Sequence, residues 1–272
     1  MTNATRSDAQ STEVDLALCR CVLYEALSMG LYTPSPESVA RLRSTETRAA
    51  LVDAAHHLAL RETAGGDPPQ LEKRVEALTA RLTEGVDLES LLSAYGRLFG
   101  HTARGAVCPY ESEFGSETHF QQTARLANLG GFYAAFGLKL GEQTKERIDH
   151  VCSELEFLGF LARKEAFALR ERDDAMLSET RKAVRLFLRD HLGRFARAFA
   201  RELSREDRGG FYGLLADVLF DFVTLECARV SVQAGPPFVT LRPAENDDTS
   251  MECGGSCDPT ACEVPGAAEG PP

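Results

Sequence analysis

The sequence is short of positive charge and of long apolar runs. It has 30 Lys and Arg residues against 41 Asp and Glu residues, a formal net charge of -11 at pH 7. Proteins that bind nucleic acid irrespective of its sequence need a surplus of cations to displace counterions from phosphates, so this balance argues against that class. No apolar run approaches the roughly 18 residues of a membrane span, and the polar N-terminus lacks the apolar region of a secretory signal. We therefore expect a cytoplasmic protein without a membrane span.

The motifs of the common enzyme classes are also missing. There is no GxGxxG that opens a helix after a strand, and no phosphate-binding GxxxxGK loop, HExxH or GxSxG. His56 and His57 are adjacent, so on a helix their side chains point about 100° apart and cannot share one metal on that face. The sequence alone therefore selects no catalytic constellation.

Charge and cysteine are concentrated at the C-terminus. Residues 244–272 contain seven acids and no Lys or Arg, and they include Cys253, Cys257 and Cys262. A segment this poor in large apolar side chains cannot offset its ordering entropy, so we predict a flexible tail over 241–272 and a disordered N-terminus over 1–12. Thiolates with glycines between them suit zinc, copper(I) or an iron–sulfur cluster, but the irregular spacing also fits free thiols in an unstructured tail.

Between these ends, over 13–240, the apolar pattern is helical throughout. Hydrophobic residues recur at steps of three and four, and turn-forming Pro and Gly clusters separate the periodic segments. The pattern predicts a single all-α domain of roughly eight helices, including helices over 36–60, 143–170, 174–204 and 207–233. Val184, Leu188, Leu192, Phe195, Phe199 and Leu203 fall on one face of a helix. Asp87 is a plausible N-cap for a helix that ends at Phe99. The alternating run near Phe238 is too isolated to build a sheet.

Two regions depart from a plain helical bundle. The first is a long internal loop that follows Tyr95 and Phe99 and contains Tyr110 and Glu111. The second is a helix start with Asp149, His150 and Glu154. Long ordered loops in compact domains are often functional, and a helix start beside this loop predicts an acidic, partly apolar cleft suited to a basic amphipathic peptide. A solvated helix face with an ordinary structural His150 is the alternative.

The order of these fragments resembles the TorD/DmsD/NarJ family of chaperones for molybdenum-containing oxidoreductases. The likeness extends over about 91–225. Its fragments are Tyr95-x-x-x-Phe99, Pro109-Tyr110-Glu111-Ser112, Phe132-Tyr133-x-x-x-Gly137-Leu138, Asp149-His150-x-x-x-Glu154-Leu155-Glu156-Phe157-Leu158, Phe187-x-x-x-His191-Leu192 and Phe211-Tyr212. Each fragment alone is weak, whereas the whole series at these separations in an all-helical chain is fairly specific. Two departures change the geometry expected. Ile148 stands where the family has Pro before Asp-His, and Phe195 stands where it often has Trp.

The resemblance implies a cytoplasmic protein that binds its partner and is not an enzyme. Members of the family bind the immature catalytic subunit of a molybdopterin-containing oxidoreductase, often at its twin-arginine signal peptide. They keep it competent for cofactor insertion and delay its export. No cofactor of the chaperone itself is implied, and the oligomeric state stays open.

A twin-arginine peptide offers two guanidinium groups followed by an apolar stretch. Carboxylates pair with guanidinium groups in a bidentate way, and aromatic rings cover apolar side chains. The client-binding residues predicted on this basis are Tyr95, Phe99, Tyr110, Glu111, Asp149, His150 and Glu154. Two other functions stay open: a helical metal-binding or redox-sensing protein that acts through Cys253, Cys257 and Cys262, and a helical enzyme with acid–base groups at Asp149, His150 and Glu154.

Overall fold

The computed structural model describes residues 3–60, 70–100, 105–115, 119–139 and 147–242. Over these residues the chain forms ten α-helices and one short 3-10 helix, Glu111–Glu113. The α-helices are α1 Asn3–Leu31, α2 Pro36–Arg43, α3 Thr45–Ala59, α4 Leu71–Gly85, α5 Leu88–Phe99, α6 His119–Ala135, α7 Val151–Glu171, α8 Asp174–Asp190, α9 Leu192–Glu206 and α10 Phe211–Arg229. The all-α prediction is confirmed. No helix in these ranges is long and apolar enough to cross a membrane.

The helix count exceeds the predicted eight because two predicted helices are each divided. Ser44 has extended backbone angles (φ -60°, ψ 143°), so it ends α2, and its hydroxyl accepts the backbone N–H of Thr47 as the N-cap of α3. His191 (φ -128°, ψ -109°) separates α8 from α9. No Pro stands at or just after Ser44 or His191. The hydrophobic periodicity therefore continues across both positions and predicts a single helix in each case.

The start of the first helix differs from the predicted boundary at the N-terminus. Helix α1 begins at Asn3, so it already includes most of the first twelve residues, for which the sequence predicts disorder. The residues up to Arg242 form one compact unit. The predicted tail, with Cys253, Cys257 and Cys262, lies outside the described residues except for Leu241 and Arg242, so the tail stays a prediction.

The core lies between α1, α7, α9 and α10, with α1 packed along α7 and α9 packed along α10. Its largest buried side chains are Tyr24, Phe187, Phe195, Phe199, Tyr212 and Phe222. The predicted apolar face of α8 and α9, from Val184 to Leu203, is buried as expected and continues across the break at His191. Helix α10 is apolar on nearly all sides, as suits the most enclosed helix of a bundle.

Ion pairs inside the bundle tie the central helices together. Glu165 of α7 accepts hydrogen bonds from Arg20 of α1 at 3.0 Å and from Arg181 of α8 at 2.8 Å. Glu226 of α10 is bound by Tyr24 at 2.9 Å and by Arg229. Burial raises the pKa of the Glu165 carboxyl, but the guanidinium groups around it, Arg20 first, more than offset that cost and lower the pKa. These carboxylates therefore stay ionised inside the fold.

The described residues contain two isolated β-bridges outside the helices. Tyr110 pairs with His150, and Phe114 pairs with Leu241. The second bridge holds the extended segment after α10 against the 3-10 helix, through Gly115 N–H to Thr240 O at 3.0 Å and Arg242 N–H to Glu113 O at 2.9 Å. The apolar run near Phe238 thus belongs to this extended segment and not to a sheet.

Candidate functional site

The bridge between Tyr110 and His150 joins the two regions that the sequence singles out. Glu111 N–H donates to Asp149 O, and Val151 N–H donates to Pro109 O, both at 2.9 Å. The predicted proximity of the loop and the start of α7 is therefore present. We call the polar cluster built on this bridge the polar junction; it comprises Glu111, Arg125, Arg147, Asp149, Glu154 and His191.

Asp149 is bound on both carboxylate oxygens by Arg147. Nε lies 3.0 Å from Oδ1 and Nη2 lies 2.9 Å from Oδ2, the bidentate geometry of a strong ion pair. Ser112 N–H also donates to Oδ2 at 3.2 Å. The guanidinium of Arg147 lies 4.5 Å from the ring centroid of Tyr110, a cation–π arrangement. Asp149 is only 1% exposed. Its carboxylate is therefore paired with Arg147 inside the chain and not with solvent cations.

Glu111 has a second set of partners from other helices. Arg125 of α6 donates to Oε1 at 2.9 Å, and Nδ1 of His191 lies 3.0 Å from Oε2. On the other side of the same ring, Nε2 of His191 lies 2.8 Å from Oδ1 of Asn128. The break between α8 and α9 places His191 here, so the departure from helical geometry has a structural use. Glu111 is 2% exposed.

Glu154 differs from the other two carboxyls because it has no such partner. Its side chain is fully buried in α7, and neither oxygen has a hydrogen-bond partner in the part of the chain that the structure describes. Burial raises its pKa well above the usual range, and the carboxylates of Glu111 and Asp149 raise it further. Glu154 therefore keeps its proton to a higher pH than a solvated carboxyl does.

His150 is the N-cap of α7. Its Nδ1 accepts the backbone N–H of Cys152 at 3.2 Å. Its ring lies between Tyr32, stacked at 6.0 Å, and Tyr110, edge-on at 5.4 Å. Burial lowers the pKa of the ring to about 4, so the ring is neutral at pH 7, as an acceptor at Nδ1 requires.

The predicted residues Tyr95 and Phe99 belong to a different part of the molecule. Their rings lie 4.8 Å apart and contact Tyr212 of α10 at 6.2 Å and 5.8 Å. Phe99 also stacks on Phe199 of α9. The described ring contacts therefore place this pair in the packing of α5 against α9 and α10. Of the seven predicted client-binding residues, the structure brings together Tyr110, Glu111, Asp149, His150 and Glu154.

Three members of the polar junction were not among the predicted residues. Arg147 stands two residues before Asp149, and this short spacing was the one local signal for their pairing. His191 was visible only as part of the His-Leu fragment, without a role. Arg125 carries no local signal, because its partner Glu111 is fourteen residues away across the loop.

The side chains at the bridge between Tyr110 and His150 are paired or enclosed inside the fold. Asp149 is held by Arg147, His150 is enclosed between two rings, and Glu154 is sealed. Within the described ranges no group of three or more His, Cys, Asp or Glu side chains is placed to hold a metal ion. The predicted metal ligands Cys253, Cys257 and Cys262 lie outside those ranges and stay untested.

Comparison with known proteins gives one family model and several named relatives. The model described as nitrate reductase delta subunit matches residues 51–201. A Chaperone protein TorD of Photobacterium profundum is 27% identical over 168 residues, 60% of this chain and 76% of that protein. A perchlorate reductase assembly chaperone protein of Dechloromonas aromatica is 27% identical over 225 residues, 81% of this chain and 94% of that protein. A selenate reductase assembly chaperone protein of Thauera selenatis is 35% identical over 109 residues, 40% of this chain and 54% of that protein.

Proposed function

The chain belongs to the nitrate reductase delta subunit family, and on this premise we propose that it is a maturation chaperone. Its partner is the immature catalytic subunit of a molybdopterin-containing oxidoreductase. The observation that carries the proposal is the similarity to the perchlorate reductase assembly chaperone, which covers 94% of that protein. A match over 81% of this chain involves most of the helical body and not an isolated motif.

The mode of action that we propose is binding without turnover, in the cytoplasm. The chaperone holds the apo subunit competent for cofactor insertion and delays its export. The sealed Glu154 and the internally paired Asp149 support this, because neither is placed to exchange protons with a substrate. The alternative function through the C-terminal cysteines has no supporting observation in the described residues.

At a finer level, we propose that the client is recognised through its twin-arginine signal peptide. The polar junction contains the carboxylate–guanidinium and guanidinium–tyrosine contacts that recognition of arginine uses. In this structure Arg147 and Arg125 supply the guanidinium groups. A client arginine would therefore bind Asp149 or Glu111 by replacing one of them, with Tyr110 and His150 as the aromatic and capping neighbours.

The function is tested on the client. A molybdopterin oxidoreductase subunit that co-purifies with this chain is produced with and without it, and the molybdenum content of the purified subunit is measured. We expect a stable one-to-one complex with the apo subunit and a higher molybdenum content when the chaperone is present. Equal molybdenum content together with no complex would refute the maturation role.

The residues are tested separately, by calorimetric titration of a synthetic twin-arginine peptide into the full chain. We expect weaker binding by the Asp149→Ala, His150→Ala and Glu111→Ala variants if the polar junction contacts the peptide. Glu84→Gln, an exposed acid on α4, is the matched control. Unchanged affinity in variants that keep the helical signal of the parent would remove these residues from the site.

A further inference from the structure

Glu154 differs from the other acids of the polar junction in having no fixed partner. Asp149 and Glu111 are each held by a guanidinium group, from Arg147 and Arg125 respectively. Glu154 is 0% exposed, and neither of its oxygens has a hydrogen-bond partner among the described residues. A buried polar group without a partner costs free energy, so its presence in a native fold calls for an explanation.

Helix α6 brings Arg125 close to this carboxyl. The ring of Phe132 lies 6.3 Å from the ring of Phe157, so α6 packs against the first turns of α7, where Glu154 stands one turn before Phe157. Arg125 is seven residues before Phe132 and therefore on the same face of α6. Burial is the largest influence on the pKa of Glu154 and raises it, whereas the charge of Arg125 lowers it. The guanidinium is therefore near enough to act on this carboxyl.

Arg125 is the more enclosed of the two guanidinium groups. Its side chain is 14% exposed, against 39% for Arg147. A client arginine that replaces Arg147 at Asp149 leaves that side chain at the surface, where water hydrates it. Arg125, replaced at Glu111, stays mostly inside the fold, where a cation needs a carboxylate. Glu111 keeps its position in the meantime, because Nδ1 of His191 contacts its other oxygen at 3.0 Å.

We propose that Glu154 is the second acceptor for Arg125: a client arginine takes the place of Arg125 at Glu111, and Arg125 moves to Glu154. The O–H bond of the protonated Glu154 carboxyl breaks as the guanidinium arrives, and the proton passes to solvent. The cluster gains one positive charge from the client and loses one with the proton, so its net charge does not change. This proposal rests on the proposed recognition of client arginines at the polar junction.

The exchange links client binding to pH. Where Glu154 carries a proton in the free chain and not in the complex, binding releases that proton. Affinity then rises with pH by at most about tenfold per pH unit, and acidification favours release of the client.

Other groups near Glu154 do not give the same response. The charged and titratable groups that face it are Glu111 of the 3-10 helix, Asp149 before α7, and Arg125 and Tyr133 of α6. Burial raises the pKa of Tyr133, and burial lowers the pKa of His150 to about 4. Neither of these two groups titrates between about pH 5 and about pH 7.

The proton is counted by isothermal titration calorimetry. A synthetic twin-arginine peptide is titrated into the full chain in two buffers with different heats of ionisation, at about pH 5.5, above the ordinary pKa of a carboxyl. The parent is expected to release more protons than Glu154→Gln, by up to about one per bound peptide, because Gln has no proton to give. Glu179→Gln, an exposed acid on α8, is the matched control and should release as many protons as the parent. His191 is retained in every protein, so the difference reports Glu154.

A second comparison needs no client. Glu111→Ala removes the carboxylate that holds Arg125, as a client arginine does by occupying it, so Arg125 should turn to Glu154. Adding Glu154→Gln should then change the pH dependence of the urea midpoint very little. In Glu111→Ala/Arg125→Ala the same addition should change that pH dependence clearly. Both backgrounds lack the charge of Glu111, so the guanidinium is the difference between them.

The outcomes separate this exchange from the recognition of the client. If the parent binds the peptide and releases no more protons than Glu154→Gln, the exchange is wrong and recognition at the polar junction stands. An equal effect of Glu154→Gln in the two Glu111→Ala backgrounds would also overturn the exchange. If the parent does not bind the peptide, recognition at the polar junction fails, and the exchange fails with it because nothing displaces Arg125.

Discussion

Replacing Glu154 by Gln tests whether a neutral carboxyl is sealed inside the bundle. Glu154 is fully buried, its oxygens lack hydrogen-bond partners in the described ranges, and Glu111 and Asp149 stand near it. Gln has nearly the shape of the protonated carboxyl but does not titrate. The comparison therefore isolates the proton.

The sign follows from linkage. The pKa of Glu154 is raised in the folded state, so above its ordinary value of about 4.5 the folded chain keeps a proton that the unfolded chain releases. Stability then falls as pH rises, by about 1.4 kcal/mol per pH unit, until the pH reaches the folded-state pKa. Between about pH 5 and about pH 7 the parent should therefore lose stability relative to Glu154→Gln, with a slope of at most about 1.4 kcal/mol per pH unit.

The assay is urea denaturation followed by far-ultraviolet circular dichroism at several pH values. The change with pH in the difference between the two proteins is the readout, because the Gln amide introduces a fixed offset of its own in a buried site. Titration of groups that do not interact with Glu154, such as His150, cancels in this difference. The exposed Glu179→Gln variant should show the pH dependence of the parent.

A constant difference between parent and Glu154→Gln over this pH range would refute the reasoning. It would mean that Glu154 is ionised in the folded chain and that a cation or a water molecule contacts its carboxylate. Exchange of Glu154 for Gln would then act only through its packing and its hydrogen bonds.

Three further outcomes are expected. Glu165→Ala leaves the buried Arg20 without its carboxylate and should lower the free energy of unfolding by about 3–5 kcal/mol in the same urea assay, with Glu179→Gln as control; a loss below about 1 kcal/mol would contradict a buried, obligatory pair. Asp87→Ala removes the side-chain acceptor for Ser90 N–H at the start of α5 and should lower the urea midpoint of unfolding, whereas Asp87→Asn should retain most of the stability because Asn also caps helices well. The ring of His150, with its pKa lowered to about 4, should stay neutral in an NMR titration from about pH 7 to about pH 5, while the urea-unfolded chain titrates near 6.5. Because the unfolded ring binds its proton first, this group makes stability fall as pH drops from about 6.5 to about 4, by up to about 3 kcal/mol; a midpoint near 6.5 in the folded chain would refute the enclosed ring.

Sequence periodicity was enough for the helical class and for the main buried face. The face from Val184 to Leu203 is buried as predicted, and Asp87 is the N-cap of α5. Both features are local, because a helix face and a cap depend on residues within one or two turns. The break at His191 is not local in this sense. His191 leaves the helix where its ring reaches Glu111, a residue eighty positions earlier in the chain.

The candidate site shows the same limit more sharply. The sequence predicts that the carboxylates of Glu111 and Asp149 pair with guanidinium groups of a bound peptide. The fold instead supplies Arg125 and Arg147, and only the tertiary structure shows that these positions are already taken. Acidic residues in a sequence therefore indicate where guanidinium groups bind. The burial of those residues in the fold determines whether the guanidinium comes from the same chain.

That distinction divides the acids of this chain into two groups with different physical roles. Buried carboxylates such as Asp149 pay a desolvation cost that only a fixed partner offsets, so removing Arg147 without replacement would leave an uncompensated charge. Exposed carboxylates such as Asp53 keep their hydration until a partner arrives, and they can therefore attract a cationic segment reversibly and at low cost. A chaperone must release its client after maturation. At the polar junction, a client arginine must open a buried ion pair to bind, and the guanidinium of Arg147 or Arg125 can return to the same carboxylate when the client leaves.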